Sequence, residues 1–333
     1  MTNPLAPFLA LCGSFALSWL LTGRVLAYLR LKAILDHPND RSSHSIPTPR
    51  GGGWGVMLTL LPSWTLIAVT VDHPLRALPI LAGTVALMAV SWMDDRRGLG
   101  PAPRFLAQIA AVVAGLSALP GDGLVFQGLL PFWADRLVAA VGWLWFVNLF
   151  NFMDGIDGLA GGEAASIGAG LALVATLAAL DPALALYGLA AAGAALGFLV
   201  WNWHPAKLFM GDVGSVPLGF TLGWLLLVLA ASGLWVAALL IPAYFLADAT
   251  VTLLRRLAEG KKVWQAHREH FYQKATQRGR THAQVVRLVL TLNAALLLLA
   301  VASLALGWVA LPAGAAAVVL LLALLARPVR AAA

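Results

Sequence analysis

The chain has 333 residues, of which 60% are hydrophobic and only 11% charged, and its mean hydropathy is +0.83. That balance excludes an ordinary soluble domain and places the protein among integral membrane proteins. Its 22 lysines and arginines outnumber the 15 acidic residues, and because they cluster in alternate loops the excess reads as a membrane-topology signal rather than a nucleic-acid footprint.

A membrane span needs about 20 largely apolar residues. Eleven segments qualify, at roughly 5–23, 54–71, 77–93, 105–120, 135–150, 163–180, 183–200, 215–232, 233–254, 284–306 and 308–326. The expected architecture is an all-α, polytopic helix bundle forming one domain over residues 1–333. The first segment lacks a basic leader and a small-residue cleavage pattern, so it reads as a retained span. It also holds the single cysteine, Cys12, so no intramolecular disulfide can form. With the N-terminus periplasmic and the C-terminus cytoplasmic, all basic residues except Arg76 and Arg136 fall in cytoplasmic loops, in the tail or near cytoplasmic span ends.

The first cytoplasmic loop, 30–53, carries His37-Pro-Asn-Asp-Arg-Ser-Ser-His44 and then Pro47-Thr-Pro-Arg-Gly-Gly-Gly53. Prolines and glycines at that density exclude a regular helix. The stretch is either a solvated linker or a place where Arg50 and the glycine amides form an anion-binding concavity. In the second loop, 94–104, Asp94 and Asp95 follow an apolar run and precede Arg96, Arg97 and Arg104. Helical neighbours point about 100° apart, so one aspartate is expected to face the bundle while the other meets arginine or solvent. Arg104 opens the fourth span, within reach of headgroup phosphate.

The loop at 151–163 holds the densest polar cluster. Asn148, Asn151, Asp154 and Asp157 recur at intervals of three, which on a helix would align them along one edge. Two carboxylates about 6 Å apart repel by roughly 3 kcal/mol at an effective dielectric near 20, and a bound cation relieves that crowding. The loop at 201–214 contains His204, Lys207 and Asp212. There Asp212 reads either as a helix N-cap or as a site residue. Asp248 lies inside the ninth span, where a carboxylate is expensive, and is expected to play a structural or supporting role. The last loop, 255–282, carries eight basic residues and the run His267-Arg-Glu-His270-Phe-Tyr-Gln273. Magnesium prefers oxygen to imidazole, so phosphate contacts suit His267, Arg268 and His270 better than metal ligation.

All these loops emerge on one face under the derived topology. Oxygen ligands ringed by cationic side chains at the mouth of a helical bundle suit magnesium holding a phosphorylated substrate. A cation- or proton-coupled transporter is the rival reading, since carriers also use intramembrane carboxylates. Against it, Asp248 alone lies well inside a span.

Asn151-Phe-Met-Asp-Gly-Ile-Asp-Gly-Leu-Ala-Gly-Gly162, the Asp94-Asp95 pair, Phe209-Met-Gly-Asp-Val-Gly-Ser215 and His267-Arg-Glu-His270 occur in this order along the chain. Together they resemble the cytoplasmic motifs of the polyprenyl-phosphate N-acetylhexosamine-1-phosphate transferase family. The resemblance implies transfer of a sugar 1-phosphate from a UDP-N-acetylhexosamine to undecaprenyl phosphate at the bacterial inner membrane. It implies a magnesium cofactor, with manganese as a substitute, held by Asn151 and Asp212. It also implies that Asp154 and Asp157 share the catalytic cluster and that Asp94 and Asp95 support lipid-phosphate deprotonation or the metal. Arg50, Arg104, Asn148, Lys207, His267, Arg268 and His270 would bind substrate. Membrane lipids are the other expected partners, and a homodimer is left open. The last-loop run is more similar to the subgroup that initiates O-antigen-type glycans than to the peptidoglycan enzyme.

Overall fold

The computed structural model describes residues 4–38, 46–262 and 267–328; the loop residues 39–45 lie outside that description. It is an all-α bundle with one two-stranded ribbon. In chain order the main helices are α1 (Ala6–Leu31), α2 (Gly53–Thr70), α3 (Pro74–Arg97), α4 (Pro101–Gly115), α5 (Phe132–Phe152), α6 (Leu159–Leu177) and α7 (Pro182–Asn202). They are followed by α8 (Asp212–Leu229), α9 (Trp235–Leu240), α10 (Ala243–Ala258), α11 (Phe271–Gln277), α12 (His282–Leu306) and α13 (Ala310–Leu325).

Local chemistry sets their ends. Helices α3, α4 and α7 begin on proline, whose missing N–H would be unpaired in a first turn anyway. Asp181 caps α7 by accepting from the Ala183 amide at 2.9 Å. Thr281 and Gln284 form a capping box at the start of α12. Gly98, at φ +64°, closes α3 in the left-handed conformation that side chains resist.

Eight stretches among the described residues are helical, long and apolar enough to cross a membrane, against eleven segments predicted from sequence. The difference has three physical sources. The 44-residue stretch His282–Leu325 bends at Gly307, φ +57°, into α12 and α13, which pack on each other. Helix α10 has 16 residues, too few for a full span. Helix α5 is long enough, but Asp135, Arg136, Asn148 and Asn151 dilute its apolar content.

The centre of the bundle is α6, 78% buried, and its periphery includes α1, only 22% buried. Small residues let the central helices touch: a Cβ on Gly168 of α6 would stand 2.5 Å from the Gly188 carbonyl of α7. Close backbone contact of this kind drives helix association where no hydrophobic effect separates protein from lipid. Glu163 of α6 is fully buried and accepts from the Asn293 amide of α12 at 2.7 Å.

At one end of the bundle, β1 (Leu35–Asp36) pairs antiparallel with β2 (Thr48–Pro49), and Arg50 bridges to Phe209. The amides of Gly51 and Gly52 both donate to the Phe209 carbonyl, at 3.1 and 2.8 Å, and Gly53 donates to Met210 at 2.9 Å. These amides are therefore committed to main chain, which removes the anion-concavity alternative. Instead they fix Arg50 beside the start of α8.

Candidate active site

Five segments converge at this end: Arg50 just after β2, the last turn of α3, the first turn of α4, the last turn of α5 with the turn that follows it, and the first turn of α8. Asp212, the first residue of α8, accepts two hydrogen bonds and stands in an ion pair with a third group. Its Oδ1 lies 2.9 Å from Arg50 Nη2 and 3.2 Å from Asn151 Nδ2, and its Oδ2 lies 3.7 Å from Arg104 Nη1. Asp95 is 3.0 Å from Arg50 and accepts from the Val213 amide at 3.4 Å. Asp94 accepts from Arg104 at 2.7 Å and from the Leu99 amide at 2.7 Å. Asn151 also donates to Ser215 Oγ at 2.8 Å.

As the helical offset of neighbours implies, Asp95 turns to the cluster beside Asp212 while Asp94 meets Arg104. Both side chains are largely covered, at 11% exposure for Asp94 and 7% for Asp95, because the divergence of helical neighbours sends each to a different arginine. Burial works against the charge on Arg50, but Asp95 and Asp212 outweigh it and raise the guanidinium above its ordinary pKa. The Asp154 carboxylate makes no hydrogen bond or ion pair among the described residues. Burial, then Asp212 and Asp95, push it well above the carboxylate range against the pull of Arg50.

The four-residue stripe does not form as predicted. Helix α5 ends at Phe152, and the chain turns through Gly158 at φ +78°, so only Asn148 and Asn151 share a helical edge. Asp154 stays with the cluster, whereas Asp157 turns elsewhere and makes no hydrogen bond or ion pair with Asp95, Asp154 or Asp212. His204 Nδ1 lies 2.6 Å and His282 Nδ1 3.2 Å from its two oxygens, and the Ala206 amide donates at 3.1 Å. Burial opposes ionisation of Asp157, but the hydrogen bonds from His282 and His204 prevail and lower its pKa. This clamp ties the loop after α5 to the loop before α8 and to the start of α12.

The last loop also departs from expectation. His270 is buried, 3.3 Å from Asp248 Oδ1. Asp248 also accepts from Tyr244 Oη at 3.0 Å and from the Phe271 and Tyr272 amides at 2.9 and 3.1 Å, which bears out a supporting position for that carboxylate. A side chain enclosed in this hub is poorly placed for a soluble phosphate. His267 is partly buried, and that burial, with His270 and Arg256, lowers its pKa to about 4. Its neutral ring lacks the charge a phosphate contact would use. The Arg268 carbonyl accepts from Gln277 Nε2 at 2.9 Å, and Lys207 stands over the Trp201 ring at 5.2 Å. Lys207, His267 and His270 make no hydrogen bond or ion pair with the carboxylate cluster.

An apolar cavity of about 690 Å³, lined by Leu87, Phe105, Leu144 and Trp145 among others, ends at Arg104, Asn151 and Asp212. In its wall Asn148 donates to Gln108 Oε1 at 2.8 Å. Sequence reasoning assigned no role to Gln108, Ser215, Tyr272, His204 or His282. A polar Gln108 inside a span was an available signal, whereas the two histidines are linked only through Asp157 and a fold not yet known.

The cluster's donors are oxygens throughout: Asp95, Asp154, Asp212 and the Asn151 Oδ1, which has no hydrogen-bond partner among the described residues. That set, with one carboxylate unpaired, fits a hard divalent cation. The cavity is walled mainly by apolar side chains and carries charge only where Arg104 and Asp212 line it, which defines the class as a polytopic membrane protein with a charged cluster at one end of an apolar groove.

Residues 77–230 match the family described as Glycosyl transferase family 4. The chain is 34% identical over 288 residues to the phospho-N-acetylmuramoyl-pentapeptide-transferase of Synechococcus sp. (strain JA-3-3Ab), across 77% of this chain and 80% of that protein. It is 30% identical over 326 residues to the decaprenyl-phosphate N-acetylglucosaminephosphotransferase of Mycolicibacterium smegmatis, across 83% of this chain and 75% of that protein. The chain belongs to the polyprenyl-phosphate N-acetylhexosamine-1-phosphate transferase family, as its motifs implied.

Proposed function

We propose that this protein transfers an N-acetylhexosamine 1-phosphate from its UDP derivative to undecaprenyl phosphate, giving the diphosphate-linked sugar and UMP, and so initiates a lipid-linked surface glycan such as O-antigen. The observation that carries this reading is the apolar cavity ending on Arg104 and Asp212, since a polyprenyl phosphate has a hydrocarbon body and an anionic head. The site faces the cytoplasm from the inner membrane, where the sugar nucleotide is made.

In the reaction, an oxygen of the lipid phosphate forms a bond to the sugar-bearing phosphorus, and the bond from that phosphorus to UMP breaks. Anion meets anion, so the protein's task is alignment and neutralisation rather than covalent chemistry. Arg104 seats the lipid phosphate, and Arg50 seats the donor diphosphate. Asp94 and Asp95 each hold one of these guanidinium groups in place, at 2.7 and 3.0 Å. They also orient the lipid phosphate, whose second ionisation near neutrality leaves little for a base to do. Asp212 and Asn151, with Asp154 beside them, would hold magnesium, which when bound neutralises charge on the diphosphate oxygens.

The decisive assay follows UMP release from a panel of UDP-sugars with undecaprenyl phosphate and magnesium. Release with a UDP-N-acetylhexosamine, lost on chelation and restored by magnesium or manganese, is the expected result. Release with none of the donors, accompanied by electrogenic uptake into liposomes, would overturn the proposal in favour of a carrier. Near-normal turnover in both Asp94→Asn and Asp95→Asn would remove those two residues from the mechanism.

A further inference from the structure

A second polar pocket lies at the other end of the bundle. Helix α2 leaves the Arg50 end at Gly53 and runs 18 residues, a rise of about 27 Å, before the chain reaches Asp72. Helices α4, α7 and α8 span the same two ends. The pocket, about 520 Å³, is bounded by Asp72, Arg76, Asp181, Tyr187 and Trp224, with Leu184 among its apolar walls.

The charges here are unusually loose. Arg76 Nη1 stands 3.8 Å from Asp72 and 3.9 Å from Asp181, beyond hydrogen-bond range, although its Nε donates to the Ala118 carbonyl at 3.2 Å. The neighbouring Arg136, at the same end, shows what a satisfied arginine looks like. It reaches Asp135 at 3.2 Å and the Pro120 and Gly123 carbonyls at 2.8 and 2.9 Å. Tyr187 donates to Asp72 at 3.1 Å, and Asp181 spends Oδ1 on its helix cap and leaves Oδ2 toward the pocket. Trp224 is 2% exposed, and its indole N–H has no partner among the described residues. The pocket thus offers one guanidinium between two carboxylates and an apolar wall, at the end of the bundle opposite Arg50.

We propose that this pocket seats the headgroup of a zwitterionic aminophospholipid, with its phosphate on Arg76 and its primary ammonium on Asp72 and Asp181. A primary ammonium donates hydrogen bonds to carboxylates and a quaternary one does not. An anionic glycerol headgroup supplies no cation for the aspartates. The apolar wall takes the first part of the acyl chains. This assignment is independent of the transferase reading, because its test needs no turnover.

The test is native mass spectrometry of the purified chain in detergent with equimolar phosphatidylethanolamine, phosphatidylcholine and phosphatidylglycerol of identical acyl chains. The expected result is retention of the ethanolamine lipid at about fivefold over the other two, the scale of one partly exposed charge-assisted contact. Asp181→Asn keeps a good helix cap and should cut the ethanolamine preference by at least half, Asp72 alone remaining for the ammonium. Arg76→Gln should weaken retention of all three. Equal retention of ethanolamine and choline lipids by the unaltered protein would overturn the proposal, as would a preference left undiminished by Asp181→Asn.

Discussion

At the residue scale, Asp212 carries the heaviest electrostatic load, facing two guanidinium groups and one amide at once. Asp212→Asn keeps the shape but removes the charge that holds Arg50 and Arg104 in opposition. Expected is a fall in UMP release on the order of 10²-fold or more, the scale seen when one preorganised electrostatic group is lost, with the helical circular dichroism unchanged. His267 gives a pH prediction. Its pKa falls from 6.5 to about 4 in the folded chain, so between those values the unfolded chain binds more protons. Stability should therefore decline as pH drops through that window, and His267→Gln should flatten the decline in a thermal-unfolding series. Depressed carboxylates such as Asp157 and Glu269 act lower, below the ordinary carboxylate range.

At the scale of elements, the long apolar helices were legible because sequence displays an apolar run directly, whereas the short α11 lay inside what read as a loop. The acidic loops were legible as a group for the same reason: carboxylates interrupt hydrocarbon. Their internal arrangement was not. The spacing of Asn148, Asn151, Asp154 and Asp157 suits a helix, but Gly155 and Gly158 end it, and which rule prevails depends on a side chain 120 residues away. Tyr272 of α11 donates to the Phe152 carbonyl at 2.9 Å, and a Cβ on Gly155 would fall 2.1 Å from its hydroxyl. Gly155→Ala must therefore displace either the tyrosine or the turn that carries Asp154. A marked loss of turnover is expected, and Tyr272→Phe in the same chain, by removing the clashing oxygen, should recover part of it. His270 was misjudged for a related reason: its partner Asp248 lies on another helix, and sequence alone does not show that a basic loop folds inward to meet it.

For the whole molecule, the two ends of the bundle differ in charge. The ends joined by α2, α3 and α4 place Arg50, Arg96, Arg97 and Arg104 together, while Arg76 and Arg136 stand opposite, each beside an aspartate. Basic loops stay on the cytoplasmic side during insertion, so the carboxylate cluster should face the cytoplasm and the Asp72–Asp181 pocket the outside. Cys12 lies in α1 and is exposed, so it is first replaced by serine. Single cysteines are then introduced as Asp122→Cys at the far end and Lys262→Cys at the active-site end, both exposed positions. A membrane-impermeant maleimide applied to intact cells, with the outer membrane made permeable where there is one, should label the first and spare the second until the inner membrane is opened. The reverse pattern would turn the site outward, away from the sugar nucleotide that the proposed reaction consumes, and a transferase of this kind would then have no donor within reach.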